Sequence, residues 1–422
     1  KKYQSEMKKN RLSGKPLHDT WILLLIGVAV FGIITSQGLI ISFGCMGVIV
    51  ALVSLGWNKL SIQNLTYSRK LSAKRAFVGE KIDIKLSVEN KKPLPLPKVF
   101  ISDELPSGFK LHQAQPAFKV NHQIIDNRFF IRKSFSLGWY QQIFWDYSVI
   151  CVKRGIYSLG PAEIEVHEPF GFLQSKTKHA SEDNIVIYPK LVDIEKIESN
   201  SNRPLGESIK GIKLLNDYSR PYSVRDYELG DPVKTIDWKS TAKTTNLKVK
   251  TYEPSISDIF IIAVATETTS PYWAAHNPQK LERVVSTAAS VAWLAFKEKM
   301  QLGILTNDLP LPKNNPLIVP PSKDKHNIDL ALKALSGIKA YSVEPLEERL
   351  MKCSGKIPKG CTLAIITSHL SNNLMLTANH LANTRYNTIV INTGPDYSGT
   401  IPKRITLYQL HDFLQANFNE IT

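Results

Sequence analysis

From Thr20 to Asn58 the chain carries no Lys, Arg, Asp, Glu or His. This run of 39 residues constrains the fold more than any other feature. A helix needs about 20 apolar residues to cross roughly 30 Å of hydrocarbon, so the run has room for two crossings and is too long for one. Small and polar residues at Thr35-Ser36-Gln37-Gly38 mark a turn between helices expected at about Leu17–Ile34 and Leu39–Trp57. Trp21 and Trp57 then fall near the same face of the bilayer, as interfacial aromatics do. Lys1, Lys2, Lys8, Lys9, Arg11 and Lys15 precede the first helix, and Lys59, Arg69, Lys70, Lys74 and Arg75 follow the second. The turn is uncharged. Basic flanks stay inside, so both termini and the soluble body are expected on the cytoplasmic face. A cleaved signal peptide followed by a core helix is disfavoured by the length of the run and by the lack of an Ala-x-Ala site.

The net charge is +16 over 422 residues. The excess is densest in residues 1–60, and nowhere do basic residues interleave with aromatics on one face. A nucleic-acid partner is therefore not expected, whereas a basic surface near anionic lipid headgroups is. Cys45 lies in the apolar run. Cys151, Cys353 and Cys361 show no metal spacing and no disulfide pattern, which suits a reducing compartment.

Residues 61–195 alternate with period two. Ile82, Ile84, Leu86 and Val88 share one strand face, and Pro93, Pro95 and Pro97 forbid a helix after it. Further strands are expected at 99–103, 127–136, 144–152, 162–167 and 184–188. Short antiparallel strands at this spacing read as a β-sandwich. Gly155–Pro161 reads as a strand end with a turn, and Glu168–Phe172 as another turn.

Residues 259–422 follow another rule. Ile259–Ala265 is a continuous apolar run, as in a parallel strand buried on both faces. Helices are expected at about 278–300, 326–337, 344–353, 373–383 and 408–418, with strands at 302–305, 362–367 and 388–392. Such alternation gives an α/β domain with a mainly parallel sheet. The charged, aromatic segment Asp217–Glu253 lies within the stretch 196–258 that joins the two regions. The fold class is thus multidomain: a transmembrane α-hairpin (1–60), an antiparallel β-sandwich (61–195), the joining segment (196–258) and an α/β domain (259–422).

The joining segment reads Arg225-x-Tyr227-x-x-Gly230-Asp231, then Ile236-Asp237-Trp238 and Ala242-Lys243. Upstream stand Arg154-Gly155-x-Tyr157-x-x-Gly160-Pro161 and Pro169-Phe170-Gly171. These marks, with two N-terminal membrane helices, resemble the domain of unknown function 58 family. The resemblance implies a C-terminal domain similar to von Willebrand factor type A. It also implies a MoxR-type AAA+ ATPase partner and, often, a transglutaminase-like membrane protein. Lys234-Thr235 and Ala242-Lys243 depart from Arg-bearing forms of the motif. Lysine keeps the charge but loses the bidentate fork.

A type A domain can hold Mg²⁺ with an Asp-x-Ser-x-Ser loop and later Thr and Asp ligands. Here the loop reads Ala265-Thr266-Glu267-Thr268-Thr269, and His369 stands where an Asp would be expected. Two carboxylates are replaced, so no metal and no cofactor is expected. A divalent-ion-dependent adhesion-type domain with a degenerate site near Glu267 is the alternative. Phosphate-loop, His-Glu-x-x-His and Gly-x-Ser-x-Gly patterns are all absent, and no catalytic residue is assigned. Asp231 is expected to cap a turn after Gly230, and Asp237 to enter a buried ion pair. Arg225, Tyr227, Asp231, Asp237 and Trp238 are the interaction candidates. The expected role is a membrane-anchored, non-enzymatic interaction protein.

Overall fold

A computed structural model describes residues 18–114, 123–125, 128–179, 183–194, 197, 204–211, 216–228, 231, 233–244, 246–254, 259–273, 276–309, 317–324, 326–384, 386–411 and 414. The chain divides into two compact units. One holds the described residues up to 74 together with 81–150 and 157–185. The other holds 75–80, 151–156 and those from 186 onward.

The first unit opens with helices α1 (His18–Ile34) and α2 (Gly38–Ser61). The turn between them falls at the expected Thr35–Gln37, where Ser36 takes φ 50°. The Thr35 hydroxyl donates back to the Phe31 carbonyl at 3.0 Å, closing the last turn of α1. Small residues bring the two helices together. A Cβ on Gly44 would lie 2.5 Å from Ala29 Cα, and one on Gly32 would lie 2.8 Å from the Ile41 nitrogen. This is small-residue packing that lets backbones approach closely. Outward from the contact, Leu39, Phe43, Met46, Ile49 and Leu52 are exposed. By length and composition α2 can cross a membrane. It runs one turn past the expected end at Trp57, taking in Asn58, Lys59, Leu60 and Ser61. The side chain of Trp21 lies outside the described residues.

Two antiparallel sheets complete this unit. One has the order β1 (Leu65–Leu71), β3 (Lys81–Asn90), β8 (Gln142–Cys151), β5 (Phe109–Ala114). The other runs β11 (Gln174–His179), β10 (Ala162–His167), β4 (Leu96–Pro106), β7 (Arg128–Leu137), β6 (Gln123–Ile125). Strand β3 buries Ile82, Ile84, Leu86 and Val88, as period two requires. Residues of the two sheets meet at Asp103 on β4. Its carboxylate receives the Arg69 guanidinium from β1 and the Tyr147 hydroxyl, 3.1 Å away, from β8. Strands β1, β5, β6 and β11 were not expected. In β11, Gln174-Ser175-Lys176-Thr177-Lys178-His179 has no apolar residue to show periodicity. It is an edge strand held by its register with β10.

The second unit carries two further short strands, β2 (Arg75–Phe77) and the 186–188 end of β12 (Asp183–Tyr188), paired in parallel. Strand β9 (Gly155–Leu159) begins in it. Helix α3 (Leu205–Gly211) and the ribbon β13 (Asn216–Asp226) and β14 (Lys248–Pro254) precede the main sheet. Between the ribbon strands lie a 3₁₀ turn (Val233–Thr235) and α4 (Trp238–Thr244).

The main sheet has six strands in the order β17 (Val319–Ser322), β16 (Gln301–Thr306), β15 (Ile259–Val264), β18 (Thr362–Thr367), β19 (Asn387–Asn392), β20 (Thr406–Gln409). All neighbours are parallel except β16 and β17. Pro320 and Pro321 sit on that antiparallel edge strand, where a missing N–H costs least. Helices α5 (Pro278–Lys297), α6 (Asn327–Gly337), α7 (Leu346–Cys353) and α8 (Asn372–Asn383) connect the strands. Helix α5 starts where it should: Asn277 Oδ1 accepts the Gln279 and Lys280 N–H groups at 3.0 and 3.2 Å, and Pro278 fits the first turn. Two apolar clusters lie on the two faces of the sheet, with Phe260, Ile262 and Val264 in one and Ile261, Ala263 and Ala265 in the other.

The expected helix near 408–418 needs correction at its start. Thr406–Gln409 is strand β20, with Leu407 and Tyr408 both buried. Leu407 and Tyr408 face opposite sides of the sheet, two adjacent apolar residues that a helical turn would also supply, and only pairing with β19 decides. Most of the rest of that expected helix lies outside the described residues.

Candidate functional site

In an open parallel sheet, the strand order reverses at one point, and the carboxyl ends of the flanking strands form a crevice there. Here that point lies between β15 and β18. The loop after β15 carries Thr266, Glu267 and Thr268, all buried. The loop after β16 contributes Asn307, also buried. Asn307 Oδ1 accepts the Thr266 N–H at 2.9 Å. Its Nδ2 donates to Glu267 Oε2 and, at 2.8 Å, to the Glu344 carbonyl. Glu267 Oε1 accepts the Leu346 N–H at 3.1 Å, at the first turn of α7. The Thr266 hydroxyl lies 2.9 Å from Ser342 Oγ and 3.1 Å from the Tyr341 carbonyl. The Thr268 hydroxyl accepts the Asn277 N–H at 2.8 Å. Burial pushes the Glu267 carboxyl above the ordinary glutamate range, against the hydrogen bond from Asn307. Both Glu267 oxygens therefore have internal donors. Ala265 is fully buried, and His369 donates its backbone N–H to Thr367 Oγ1 at 3.0 Å. The carboxylate, amide and hydroxyls tie together three loops, 265–268, 306–309 and 341–346. Beside them Tyr272 and Trp273 pack edge to face, and Trp273 is exposed.

The interaction candidates gather on the ribbon. Arg225, at the end of β13, meets Asp231 in a bidentate pair, with Nη1 to Oδ2 at 2.8 Å and Nη2 to Oδ1 at 2.7 Å. Asp231 Oδ2 also accepts the Glu228 N–H at 2.9 Å. The Arg225 hydrogen bond holds the Asp231 carboxyl below the usual aspartate range. Asp237 caps α4: Oδ2 accepts from Ser240 Oγ at 2.8 Å and Oδ1 from the Lys239 N–H at 3.2 Å. The Ser240 hydrogen bond lowers its pKa. Asp231 thus closes its turn as expected and also pairs with Arg225, while Asp237 caps α4 rather than entering a buried ion pair. Asp-x-x-Ser is a capping pattern, readable once α4 is known to be a helix. Tyr227 and Asp237 secure the ribbon through backbone bonds to Leu247 and Lys248, at 2.9 and 2.8 Å. Trp238 points away from this scaffold and is 65% exposed. Val233 and Leu247 of the same small module are also exposed. Leu229, Gly230 and Pro232 lie outside the described residues.

Arg154 of the Arg-Gly-x-Tyr motif has a side chain only 5% exposed, within the second unit. It pairs with Glu282 on α5 and donates Nη2 to the Ile338 carbonyl at 2.9 Å and Nε to the Leu335 carbonyl at 3.3 Å. An arginine on the last carbonyls of a helix complements its negative end. Asn307, Glu344 and Arg349 were not singled out from sequence. Asn307 follows an apolar strand directly, and a polar residue there is the one available signal. Among the described residues no group of three or more His, Cys, Asp or Glu could hold a metal ion.

The chain thus joins apolar N-terminal helices and antiparallel sheets to a C-terminal α/β region with a locked polar crest. Residues 223–418 match the model of the family described as "Protein of unknown function DUF58". The chain is 22% identical over 247 residues to the "Uncharacterized protein YeaD" of Bacillus subtilis (strain 168), covering 58% of this chain and 56% of that protein. It therefore spans about half the length of the curated relative it matches. Among solved structures, a segment is similar to native alpha-2-macroglobulin from Escherichia coli, domain MG7 to the C-terminus (17% identity, 30% of this chain, 24% of that chain, TM-score 0.23). Another likeness is to a non-cellulosomal cohesin from Archaeoglobus fulgidus (15% identity, 29% of this chain, 91% of that chain, TM-score 0.21). Likenesses this slight carry no argument about fold or function.

Proposed function

We propose that this protein is a non-enzymatic, membrane-anchored interaction protein whose soluble part presents a rigid surface to a protein partner. The observation that carries this reading is Trp238. It stands exposed on a module held by its own polar contacts, Arg225 with Asp231 and Asp237 with the start of α4. Exposed tryptophan on a rigid frame is what binding hot spots are made of. The strand order of the main sheet, with one antiparallel edge, supports a likeness to von Willebrand factor type A domains. The resemblance of the Arg225–Lys243 motif then makes a MoxR-type AAA+ ATPase the partner to test, with a transglutaminase-like membrane protein as a further one.

The helices α1 and α2 are read as a hairpin crossing the bilayer twice, with the basic flanks and the body on the cytoplasmic side. A cysteine introduced at Ser36 in a Cys45→Ser background, where the remaining Cys151, Cys353 and Cys361 are buried, is labelled from one side of sealed vesicles and tests the orientation. Labelling from the cytoplasmic side would overturn it.

The partner test is co-purification in detergent with a MoxR-type AAA+ ATPase, with and without nucleotide. Association that Trp238→Ala abolishes, with an unchanged melting curve, is the expected result. Unchanged association in the variant, or none with the full chain, refutes the reading.

A further inference from the structure

Two turns of the first unit grip the foot of α2. The turn Glu168–Leu173 is built around the buried Glu168 carboxylate. It accepts the Phe170 and Phe172 N–H groups at 2.6 and 2.5 Å and the Leu173 N–H at 3.1 Å. Ser54 on α2 donates to Glu168 Oε2 at 3.4 Å, and Ser175 beyond the turn donates to Asn58 Oδ1 at 2.6 Å. The rigid loop thus stands against the helix between Ser54 and Asn58. Its two phenylalanines point outward instead. They stack at 6.3 Å and are each 49% exposed.

The second turn, Gly138–Gln141, is reached through Lys92. Lys92 Nζ donates to the Gln63 carbonyl at 2.6 Å and also to the Ser61 carbonyl, where α2 ends. The Lys92 carbonyl accepts the Tyr140 N–H at 3.3 Å. Asn90 Nδ2 donates to the Gly138 and Leu94 carbonyls at 2.8 and 2.9 Å. Trp139 and Tyr140, at the tip, are about 70% exposed. Tyr140 takes φ 47°, held there by these bonds.

The two attachment points, Ser54 and Ser61, are about 10 Å apart along the helix axis. The uncharged run ends between them, at Asn58. That interval is the depth at which a spanning helix leaves hydrocarbon and enters headgroups, the level where Trp and Tyr collect. We propose that the two turns are a second membrane contact: Trp139, Tyr140, Phe170 and Phe172 insert into the headgroup layer around the foot of α2. The partner is the lipid surface itself, because the turns are bonded to the segment that must cross it. The inference rests on the membrane reading of α2. It adds that the β-sheets are seated on the bilayer rather than tethered to it, which fixes the tilt of the first unit.

The test uses the full chain in lipid vesicles. A polarity-sensitive fluorophore is placed on native Cys45, which is exposed on α2 about two turns from its start. In a Cys45→Ser background it is placed instead at Trp139→Cys, Phe172→Cys or Lys81→Cys. Lys81 begins β3 and Asn90 ends it, so position 81 is roughly 30 Å of strand away from the Asn90 turn. Lipids bearing a nitroxide near the headgroup are expected to quench labels at 139 and 172 several-fold more than the label at 81. A deep nitroxide is expected to quench Cys45. If Cys45 is quenched but 139 and 172 behave like 81, the collar is refuted and the spanning helix stands. A protein covering the two turns would give that same result. If Cys45 is not quenched by any lipid, the membrane reading and the collar fall together.

Discussion

Arg225 faces Asp231 edge-on, and both oxygens of the aspartate are used, at 2.8 and 2.7 Å. Asp231 Oδ2 also takes the Glu228 N–H. The pair closes the chain between the end of β13 and the 3₁₀ turn before Trp238. It is only partly buried, so its contribution to global stability is small. Its effect is local order.

Arg225→Lys keeps the charge and loses the fork. We expect faster amide exchange at Glu228 and a melting temperature close to that of the parent chain. Because the folded Asp231 pKa is depressed, the order it provides is fully present above the ordinary aspartate range. It is lost as pH falls through the lower folded value. Protection of the Glu228 amide, its exchange relative to the intrinsic rate at each pH, should therefore fall below about pH 4. Protection unaffected by pH and by the substitution would show the pair to be idle.

The lock at the carboxyl end of the sheet is a core feature. Glu267→Ala leaves the Leu346 N–H and one of the two Asn307 Nδ2 hydrogens without an acceptor, and Asn307→Ala does the same to the Thr266 N–H. Each is expected to cost about 2–4 kcal/mol in denaturant unfolding. The pH dependence has the opposite sign to that of Asp231. The folded Glu267 pKa is raised, so the native state holds the proton more tightly than the unfolded chain. Stability attributable to Glu267 is largest below about pH 4 and falls as pH rises through the raised folded value. Glu267→Gln should flatten that slope when stability is followed from pH 4 to 7. A slope identical to the parent's would mean that burial does not perturb this carboxyl.

Arg154 acts on a helix end. Arg154→Ala removes the ion pair to Glu282 and uncovers the Leu335 and Ile338 carbonyls at the end of α6. A loss of about 1–3 kcal/mol is expected. Arg154→Lys should recover only part of it, because one ammonium cannot reach Glu282 and both carbonyls with the same geometry. Full recovery by lysine in a melting experiment would show that charge alone matters.

Much of this architecture was legible because periodicity reports burial. Ile82–Val88 alternated and is a half-buried strand. Ile259–Val264 was continuously apolar and is the central parallel strand. The uncharged run gave α1, α2 and their turn, since charges are what such helices exclude. What escaped was structure set by partners rather than by local pattern. β11 has no apolar residue at all, and β20 is four residues long. At the site, the motif resemblance singled out the aspartates of the ribbon but not what each one bonds to. Asp231 finds Arg225 six residues back across a turn, while Asp237 finds Ser240 in a helix whose short length hid it. Asn307, Glu267 and Leu346 meet only after three strands have been placed side by side.

The most demanding test concerns the charge buried between the sheets of the first unit. Arg69 and Asp103 have almost no exposed side-chain surface. Arg69 also donates to the Leu159 carbonyl at 3.0 Å. Asp103 accepts the Tyr147 hydroxyl at 3.1 Å and the Tyr67 hydroxyl at 3.4 Å. Burial lifts the Asp103 carboxyl, and the neighbouring guanidinium opposes that rise. Removing one partner of such a pair leaves the other charged and dry. Arg69→Met is therefore expected to cost about 3–5 kcal/mol. The double variant Arg69→Met with Asp103→Leu removes both charges and should recover part of that loss. It should not recover all, because the Tyr67 and Tyr147 hydroxyls then lack an acceptor. Adding Tyr67→Phe and Tyr147→Phe should bring the unfolding free energy closer to the parent's. If the double variant is no more stable than Arg69→Met alone, the cost lies in packing around the Arg69 stem and not in the stranded carboxylate.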